Sequence, residues 1–432
     1  MGWERLQEIL KQARIVPELT GLLEPEAELY LVGGTLRDWL LGRPATDFDF
    51  ATPGDPTSLA QAYARRVGGH WFMLDPVRDQ SRVVVRQDRG ALTFDFAPFR
   101  APDLEGDLRL RDFTVNALAL RLYRDGRIGT LHDPLAGQSD LGEGSLRACS
   151  PGVFVDDPLR VLKGVRHAAA FGWQIEPPTA YLMREAASQL FMIAPERVRA
   201  EVAAIFSVPG LPSGINLLDH LGLLPNLFGP AGREDGTQEG RRGVTAIDGV
   251  LAAAGEAVVG LLSEEFEAGF SRVALLRLAA FVRGWHPHRV ADPAERLRLG
   301  RRTSMVLRHL LQLSPARYPE VEALPALPRA RALWADSCGG SVPDTLLFLA
   351  TLAEAPPAVA FGRLLPALHD WLALQRNGRI PDLVDGHWLA EQFGLQGPAI
   401  GQAMAAVRQE EIAGRVRSLE EARHFLQREN TR

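Results

Sequence analysis

Two aspartates stand close together early in this chain of 432 residues, in the sequence Asp47-Phe48-Asp49-Phe50. Side chains alternate between the two faces of a β-strand, so we expect both carboxylates on one face and both phenylalanines packed behind them. Neighbouring carboxylates repel each other unless a cation lies between them, and Mg²⁺ is commonly held by one or two carboxylates together with substrate phosphates. The pair therefore indicates a Mg²⁺ site, although an isolated Asp-x-Asp also occurs on solvated strand edges.

The segment before this pair supplies the elements that would position it. An apolar run over Leu29–Val32 leads into Gly33-Gly34, and an amphipathic segment over 35–41 follows. This order predicts a strand, a glycine turn, a helix and a second strand that carries the aspartates. Such a turn presents backbone N–H groups to a triphosphate, and Arg37, one helical turn further on, can add charge-assisted hydrogen bonds. We therefore expect both glycines and Arg37 to bind a nucleotide.

A second chemical pattern lies at Asp157-Pro158-Leu159-Arg160. Proline at a first helical position with aspartate before it predicts a helix N-terminus, and residues three apart share a helix face. Aspartate only accepts hydrogen bonds and arginine only donates them, so the pair matches a base edge with a donor beside an acceptor. Cytosine and adenine present that order, whereas uracil and guanine present the opposite one. The pair predicts selection of C and A without a nucleic-acid template; the alternative is a capping aspartate with an i,i+3 salt bridge.

Residues 31–52, LVGGTLRDWLLGRPATDFDFAT, resemble the first motif of class II tRNA nucleotidyltransferases, the family of CCA-adding enzymes and bacterial poly(A) polymerases. That family transfers nucleotides from NTPs to an RNA 3′ end with two metal ions. One ion activates the RNA 3′-hydroxyl and the other stabilises the pyrophosphate leaving group. The resemblance implies that Asp47 and Asp49 are the catalytic carboxylates and hold both ions.

The sequence LRDFTVNA resembles a second motif of that family, RRDFTxNA. The resemblance implies that Arg111 and Asn116 contact the triphosphate or the ribose, and that Asp112 contacts the ribose hydroxyl. Leu110 stands where the family usually has a first arginine. Because Arg111 and the residues after it are kept, we interpret this departure as tuning rather than inactivation.

The sequence VDDPLRVLKGVR resembles a third motif, EDxxR, with Asp156 in place of the leading glutamate. The resemblance implies that Asp157 and Arg160 select the nucleotide. It also implies that Lys163 and Arg166, which continue the same helix face, contact the nucleotide. The shorter side chain of Asp156 changes how Arg160 is braced, which puts the nucleotide preference in question.

Two further residues are weaker candidates. Alternation over 92–96 places Asp95 on the strand face opposite Phe94 and Phe96. A third carboxylate on such a strand can assist the metal pair in this polymerase superfamily, and a structural or solvent-exposed role is the alternative. The sequence ERVRAE resembles the motif ERxxxE, which implies that Arg197 ties helices together.

Composition and charge limit the function classes. A general RNA-coating protein is normally basic, whereas this chain has a formal net charge of −5, so RNA contact requires a local patch. Nine arginines between Arg272 and Arg308 offer one, and a solvated helical face is the alternative. Cys149 and Cys338 have no CxxC partners, so neither a disulfide framework nor a zinc site is indicated.

The chain has no apolar run long enough for a membrane span. Its first 14 residues, MGWERLQEILKQAR, are typical of a charged amphipathic helix rather than a secretory signal. We therefore expect a cytoplasmic protein without a membrane partner.

The predicted architecture is a small α+β nucleotidyltransferase head with a mostly antiparallel sheet, followed by an all-α remainder. We place the catalytic head at 1–145, a nucleotide-selecting helical neck at 146–208, a helical body at 209–312 and a tRNA-binding helical tail at 313–432. Residues 229–242 are rich in glycine and charge and predict a loop or linker.

The resemblance leaves the added nucleotides open. In full CCA-adding relatives, a flexible loop between the first two motifs lets the pocket switch from C to A. Here only APDLEGDLRL separates Arg100 from Arg111, which is short for that loop. We therefore favour addition of CMP from CTP to the tRNA 3′ end, with full CCA addition from CTP and ATP as the first alternative. Addition of A alone, or polyadenylation, comes third, and a non-catalytic RNA-binding protein is the alternative from a different class.

Overall fold

The computed structural model of the protein describes residues 15–87, 90–230, 235–262, 264–267, 269–285, 291–315 and 319–429. The chain divides into two compact units, one of Met1–Ala194 with Val208–Leu223 and the other of Pro195–Ser207 with Leu224–Arg432. The predicted helix over 1–14 lies outside the described residues. The predicted boundaries between head, neck, body and tail stay predictions.

A seven-stranded sheet forms the centre of the first unit. Its strands are β1 (Leu29–Val32), β2 (Asp47–Thr52), β3 (His70–Asp75), β4 (Gln80–Arg86), β5 (Ala91–Pro98), β6 (Ala119–Leu122) and β7 (Ile128–His132). The strand order is β3-β4-β5-β2-β1-β6-β7. Strands β2 and β5 run parallel, and the other neighbouring pairs are antiparallel. The predicted mostly antiparallel head sheet is confirmed.

Helices alternate with these strands along the chain and continue after them. Up to residue 223 they are α1 (Ile15–Thr20), α2 (Gly34–Leu40), α3 (Pro56–Val67), α4 (Leu104–Arg109), α5 (Gly137–Glu143), α6 (Val153–Asp156), α7 (Arg160–Phe171), α8 (Pro177–Ala186), α9 (Pro195–Ser207) and α10 (Leu211–His220). Of these, α9 belongs to the second unit. Short 3₁₀ turns lie at Thr114–Asn116 and Ala187–Met192, and Ser145–Leu146 pairs in parallel with Gln174–Ile175.

Aromatic side chains fix one face of the sheet. Phe48 stacks on Phe94 with ring centroids 5.0 Å apart, and Phe50 stacks on Phe96 at 5.1 Å. Tyr63 on α3 contacts the Phe94 ring edge to face at 5.1 Å. Such pairs stabilise a sheet beyond their buried area. Because this face of β2 and β5 is filled by rings, the aspartates of the same strands face the other way.

Helix α7 begins slightly later than the sequence predicts. The pattern places Pro158 at its first position, but regular helix starts at Arg160. The backbone N–H of Arg160 bonds to the carbonyl of Asp157 at 3.0 Å, which makes the preceding residues a tight turn. The helix ends at Phe171 with Gly172 in the left-handed conformation, φ 70°.

The second unit is mostly helical. Its remaining helices are α11 (Leu224–Phe228), α12 (Gly236–Ala254), α13 (Glu256–Leu262), α14 (Arg272–Trp285), α15 (Ala291–Arg296), α16 (Arg301–Gln312), α17 (Pro319–Glu322), α18 (Pro328–Ser337), α19 (Val342–Leu349), α20 (Pro357–Leu374), α21 (Gly386–Phe393), α22 (Pro398–Ile412) and α23 (Leu419–Glu429). A small hairpin of Glu265–Glu267 and Phe270–Ser271 departs from the all-α prediction, as does the short strand Gln174–Ile175 of the first unit. None of the helices described has the length and apolar character that a membrane crossing requires.

The predicted loop over 229–242 is partly wrong, because α12 begins at Gly236. Its glycines serve close helix packing. A Cβ at Gly240 would meet the Phe281 ring at 2.5 Å, and one at Gly243 would meet the Ala280 carbonyl oxygen at 2.4 Å. Residues that suggest a turn in the sequence therefore let α12 approach α14.

The arginine cluster of the second unit has structural contacts. Arg272 is buried and donates to Asp344 at 3.0 Å, and Arg277 donates to Asp248 at 2.6 Å. Arg289 lies outside the described residues. Arg272 and Arg277 therefore form ion pairs within the protein and do not belong to a solvated helical face.

Candidate active site

Asp47 and Asp49 lie on one face of β2, which confirms the alternation predicted for this strand. Asp47 is exposed and accepts a hydrogen bond from the hydroxyl of Thr93 on β5. Asp49 is half-buried, and Phe48 and Phe50 are 5% and 3% exposed on the other face. The two carboxylates are therefore presented together, one in solvent and one beneath the surface.

The surroundings of Asp49 disfavour its charge. Burial is the main cause that raises the pKa of this carboxyl to about 6. The positive charge of Arg111 opposes that shift, and the nearby carboxylates of Asp95 and Asp47 add to it. An ionised Asp49 thus lacks sufficient positive charge around it, and a divalent cation would supply that charge.

Asp95 is the cross-strand neighbour of Asp49 on β5. It lies opposite the buried Phe94 and Phe96, as predicted. Both carboxylate oxygens of Asp95 accept hydrogen bonds from Arg82 on β4, each at 2.6 Å. In the part of the chain that the structure describes, no three His, Cys, Asp or Glu side chains gather as a metal site. Asp95 is therefore engaged by an arginine beside the Asp47 and Asp49 pair.

The glycine turn lies directly against the carboxylate. Gly33 has φ 78° and ψ −145°, a backbone conformation essentially restricted to glycine. A Cβ there would meet Asp49 Oδ2 at 3.0 Å and Arg111 Nη1 at 3.3 Å. The Gly33 N–H donates to the Leu118 carbonyl at 3.3 Å, so this amide is not available to a phosphate, contrary to the prediction. The role of Gly33 in the structure is to let the strand approach both side chains.

Replacing Gly33 by alanine is expected to lower the free energy of unfolding by roughly 1–3 kcal/mol, because the backbone conformation would be strained and the methyl group would press on Asp49. Urea denaturation measures the change. The matched control is Gly34→Ala, because Gly34 is the first residue of α2 and does not have a positive φ, so alanine there meets no comparable backbone strain. Equal losses in the two variants would contradict the argument.

The guanidinium of Arg37 donates its hydrogen bonds to other side chains of the protein. It is 8% exposed, and its Nε and Nη2 atoms donate to Asp38 at 2.9 and 3.0 Å. Its Nη1 donates to Asn116 Oδ1 at 2.7 Å, and Asn116 in turn donates to Asp112 at 3.0 Å. Direct contact of Arg37 with a triphosphate is therefore not what this geometry favours. Arg37 orients the amide that holds Asp112.

Asp112 keeps its charge although it is enclosed. Burial alone would raise the pKa of Asp112, but the charge of Lys163 and the proximity of His167 lower it to about 2, together with the hydrogen bond from Asn116. The same surroundings, mainly burial, hold the pKa of His167 well below its usual range. An acceptor at Asp112 that is ionised at neutral pH suits the ribose-hydroxyl contact that the sequence predicts.

The lowered pKa of Asp112 has a consequence for stability. The ionised form is favoured in the folded state, so its contribution to stability is present above about pH 4, the ordinary pKa of aspartate, and is lost as the pH falls towards 2. We expect Asp112→Asn to be less stable than the unsubstituted protein at pH 6, and the gap to narrow by pH 2.5. Urea unfolding at both pH values checks this; a gap that widens on acidification would contradict it.

Asp107 and Arg100, which the sequence motifs do not single out, form a hydrogen-bond network that fixes the side chain of Arg111. Asp107 is 1% exposed and accepts hydrogen bonds from Arg111 Nη2 at 3.0 Å and from Arg100 Nε at 2.9 Å. Burial would raise the pKa of Asp107, but these two arginines outweigh it and lower the pKa. The i,i+4 spacing of Asp107 and Arg111 could have indicated the pair. The network fixes the guanidinium that lies beside Asp49.

The predicted base-selecting pair, Asp157 and Arg160, lies at the start of α7. Arg160 donates to the carbonyls of Val153 at 3.2 Å and Leu110 at 3.1 Å. The contact with Leu110 uses its main chain, so leucine in place of the family's arginine does not remove it. An oxygen of Asp157 accepts from the Leu159 N–H at 3.2 Å. Arg160 is thus held by backbone carbonyls, and Asp156 is an exposed residue at the end of α6.

One cavity of about 250 Å³ in the first unit brings most of these side chains together. The predicted residues that line it are Asp49, Asp95, Arg111, Asp112, Asp157, Arg160 and Lys163. The predicted residues outside its lining are Gly33, Gly34, Arg37, Asp47, Asn116, Asp156, Arg166 and Arg197, the last on α9 of the second unit. A carboxylate of the predicted metal pair and the predicted base-selecting pair therefore share one cavity.

Known proteins resemble this chain over nearly its whole length. The family described as the Poly A polymerase head domain matches residues 29–147, and the one described as the probable RNA and SrmB-binding site of polymerase A matches residues 172–233. A CC-adding tRNA nucleotidyltransferase of Geobacter sulfurreducens is 32% identical over 92% of this chain and 91% of the relative. This chain belongs to the tRNA nucleotidyltransferase family.

Other members of this family differ in the nucleotide that their names give. An A-adding tRNA nucleotidyltransferase of Deinococcus radiodurans is 34% identical over 92% of this chain and 94% of the relative. A Thermotoga maritima CCA-adding enzyme, solved in complex with tRNA, has a TM-score of 0.67 and covers 98% of this chain and 95% of its own. At 22% identity that likeness shows the fold alone. This tRNA nucleotidyltransferase is thus an enzyme of the CCA-adding type, a family that uses divalent metal ions.

Proposed function

We propose that this tRNA nucleotidyltransferase adds CMP residues from CTP to the 3′ end of tRNA, without a nucleic-acid template. The observation that carries the proposal is the shared cavity, lined by Asp49, Asp157 and Arg160. Nucleotidyl transfer requires the metal-binding carboxylate and the base selector to act on one nucleotide, and a single cavity permits this. A non-catalytic RNA-binding protein would have no need for both carboxylates of the pair.

Asp47 and Asp49 fit a divalent cation, and we propose Mg²⁺ because it takes oxygen ligands from few carboxylates and keeps waters and substrate phosphates. When bound, Mg²⁺ supplies charge stabilisation to the attacking and leaving oxygens. Arg111 and Lys163 line the same cavity and add positive charge for the triphosphate. Asp112 stays ionised and accepts a hydrogen bond from the ribose hydroxyl.

The connections in the head support CC addition over full CCA addition. Between β2 and Arg111 the elements are joined by segments of no more than five residues, at 53–55, 68–69, 76–79, 87–90 and 99–103. The residues just before Arg111 form helix α4 rather than a loop. These short segments leave few residues for a loop that could reshape the pocket between the addition of C and the addition of A.

Full CCA addition is the second candidate, because the argument from Asp157 and Arg160 admits adenine as well as cytosine. The similar identity to the CC-adding and the A-adding relatives leaves both nucleotides within the range of this family.

The deciding experiment incubates the enzyme with tRNA that lacks its 3′ end, Mg²⁺ and each labelled NTP, singly and in pairs. We expect two additions from CTP alone and no AMP afterwards. AMP that follows the two CMP residues would establish full CCA addition, and AMP added only to tRNA that already ends in CC would establish A addition. No addition from any NTP would contradict the proposed activity.

A further inference from the structure

An apolar aromatic surface lies exposed on the edge strand β3. Phe72 and Leu74 are each 43% exposed, although large apolar side chains on an edge strand invite association and are usually covered or replaced by charge. Trp71, on the opposite face of the strand, is accounted for by the hydrogen bond from its Nε1 to Ser81 at 3.1 Å. Phe72 and Leu74 have no comparable structural reason for their exposure.

Strand register places Phe72 in one row with the candidate metal site. Asp49 pairs with Asp95, Asp95 pairs with Arg82, and Arg82 pairs with Phe72. Residues directly opposite each other on neighbouring strands share a face of the sheet. Phe72 therefore lies on the face that carries the carboxylates, three strands away from Asp49. Neighbouring strands are about 4.8 Å apart, so the separation along the row is about 14 Å.

Leu74 connects this surface to the cavity itself. The pairing of β3 with β4 is interrupted by a register shift between Met73 and Asp75, and Leu74, which lies at that irregularity, lines the cavity together with Asp49 and Gln80. Arg86 follows Arg82 at an even spacing on β4, which puts both arginines on this face, and Arg86 is exposed. Because the charge of Arg82 is paired with Asp95, the face combines an aromatic ring and an aliphatic side chain with the positive charge of Arg86.

The two sides of Asp49 differ in chemistry. Arg111 lies beside Gly33, at the end of β1, and therefore on the β1 side of the carboxylate. The row of Asp95, Arg82 and Phe72 extends on the β5 side. Phosphoryl transfer requires the attacking and leaving oxygens to lie roughly in line on opposite sides of the phosphorus. If the triphosphate lies with Arg111, the RNA 3′-hydroxyl approaches from the β5 side.

We infer that the face formed by Phe72, Leu74, Arg82 and Arg86, named here the primer platform, binds the last unpaired nucleotides of the RNA by base stacking. Aromatic side chains beside a positively charged groove are the usual means of holding single-stranded nucleic acid. At a rise of about 3.4 Å per stacked nucleotide, the platform lies within about four nucleotides of the 3′ end. The inference rests on the proposed function, because it places the RNA end that receives the nucleotide.

The test measures tRNA binding and addition kinetics for the full chain with Phe72→Ala, Phe72→Leu and Phe72→Trp. Base stacking on one aromatic ring predicts about a tenfold rise in the KM for tRNA in Phe72→Ala and Phe72→Leu, with the KM for CTP unchanged. Phe72→Trp should keep the original value, because it retains a ring. Trp71→Ala is the matched control, since it removes an aromatic side chain from the opposite face of the same strand, and its KM for tRNA should not change.

A second measurement separates this inference from the proposed activity. A tRNA with 2-aminopurine near its 3′ end reports stacking by fluorescence quenching without any NTP, and Phe72→Ala should lose that quenching while Trp71→Ala keeps it. A protein that adds no nucleotide yet shows this difference would contradict the proposed activity alone. Normal addition with an unchanged tRNA KM and unchanged quenching in Phe72→Ala would overturn the platform. A fall from dimer to monomer in Phe72→Ala with an unchanged tRNA KM would also overturn it and assign the surface to self-association.

Discussion

Replacing Asp49 by asparagine is expected to lower the rate of nucleotide addition by about a thousandfold or more. Metal ions in such sites contribute several kcal/mol of transition-state stabilisation, and loss of that contribution reduces rates by this factor. The substitution keeps the size of the side chain and removes the negative charge. That charge is already disfavoured in the fold, because the pKa of the Asp49 carboxyl is raised to about 6. The fold should therefore survive, and steady-state assays at saturating CTP and tRNA measure the loss.

The role of Asp49 in metal binding has its own measurement. A cation that binds only the folded state raises its stability, so we expect Mg²⁺ to raise the thermal unfolding temperature of the unsubstituted protein and not that of Asp49→Asn. Asp125→Asn is the matched control, because Asp125 is an exposed partner of Arg127 in the same unit. Asp49→Asn with more than a tenth of the original activity would contradict the assignment of this carboxylate.

The parts of the site that depend on local periodicity could be predicted from the sequence. The alternation of Asp47, Phe48, Asp49 and Phe50 determines which side chains face the core, because a strand has a fixed period of two. Helix α3 likewise has local boundary signals, because Asp55 caps its N-terminus and Gly68 ends it in the left-handed conformation, φ 67°. These features depend on neighbours within a few residues.

The parts that depend on strand register or on distant residues could not be predicted. Arg82 and Asp95 are 13 positions apart, and only the pairing of β4 with β5 makes them opposite. Arg37 and Asn116 are 79 positions apart. A sequence motif marks both as nucleotide-binding candidates, but it does not show that Arg37 uses its donors within the protein.

The high glycine content of residues 229–242 led to a partly wrong prediction, because glycine occurs both in turns and at close contacts between helices. Gly236 and Gly240 belong to the segment 229–242 that the sequence predicts as a loop or linker, and Gly243 follows it directly. In the structure they lie in α12, where the missing side chains of Gly240 and Gly243 let α14 approach. Glycine in a charged segment is ambiguous between a turn and close packing until the partner helix is known.

Replacing Asp157 by alanine is expected to relax base selection. A site that hydrogen-bonds a base discriminates strongly because the wrong base leaves buried polar groups unpaired. Without the carboxylate, the penalty against uracil falls, and we expect the preference for CTP over UTP, measured as the ratio of kcat/KM values, to drop about a hundredfold. Stabilisation by Mg²⁺ should be retained, because Asp47 and Asp49 are unchanged.

The matched control for this change is Asp156→Ala, which removes the same group from the exposed neighbouring residue outside the cavity lining. Arg160 donates to the main-chain carbonyls of Val153 and Leu110, and Asp157→Ala leaves both of these acceptors in place. A loss of selectivity in Asp157→Ala can therefore be assigned to the missing acceptor rather than to a displaced arginine. Unchanged discrimination against UTP in Asp157→Ala would mean that the base is selected by other groups in the cavity.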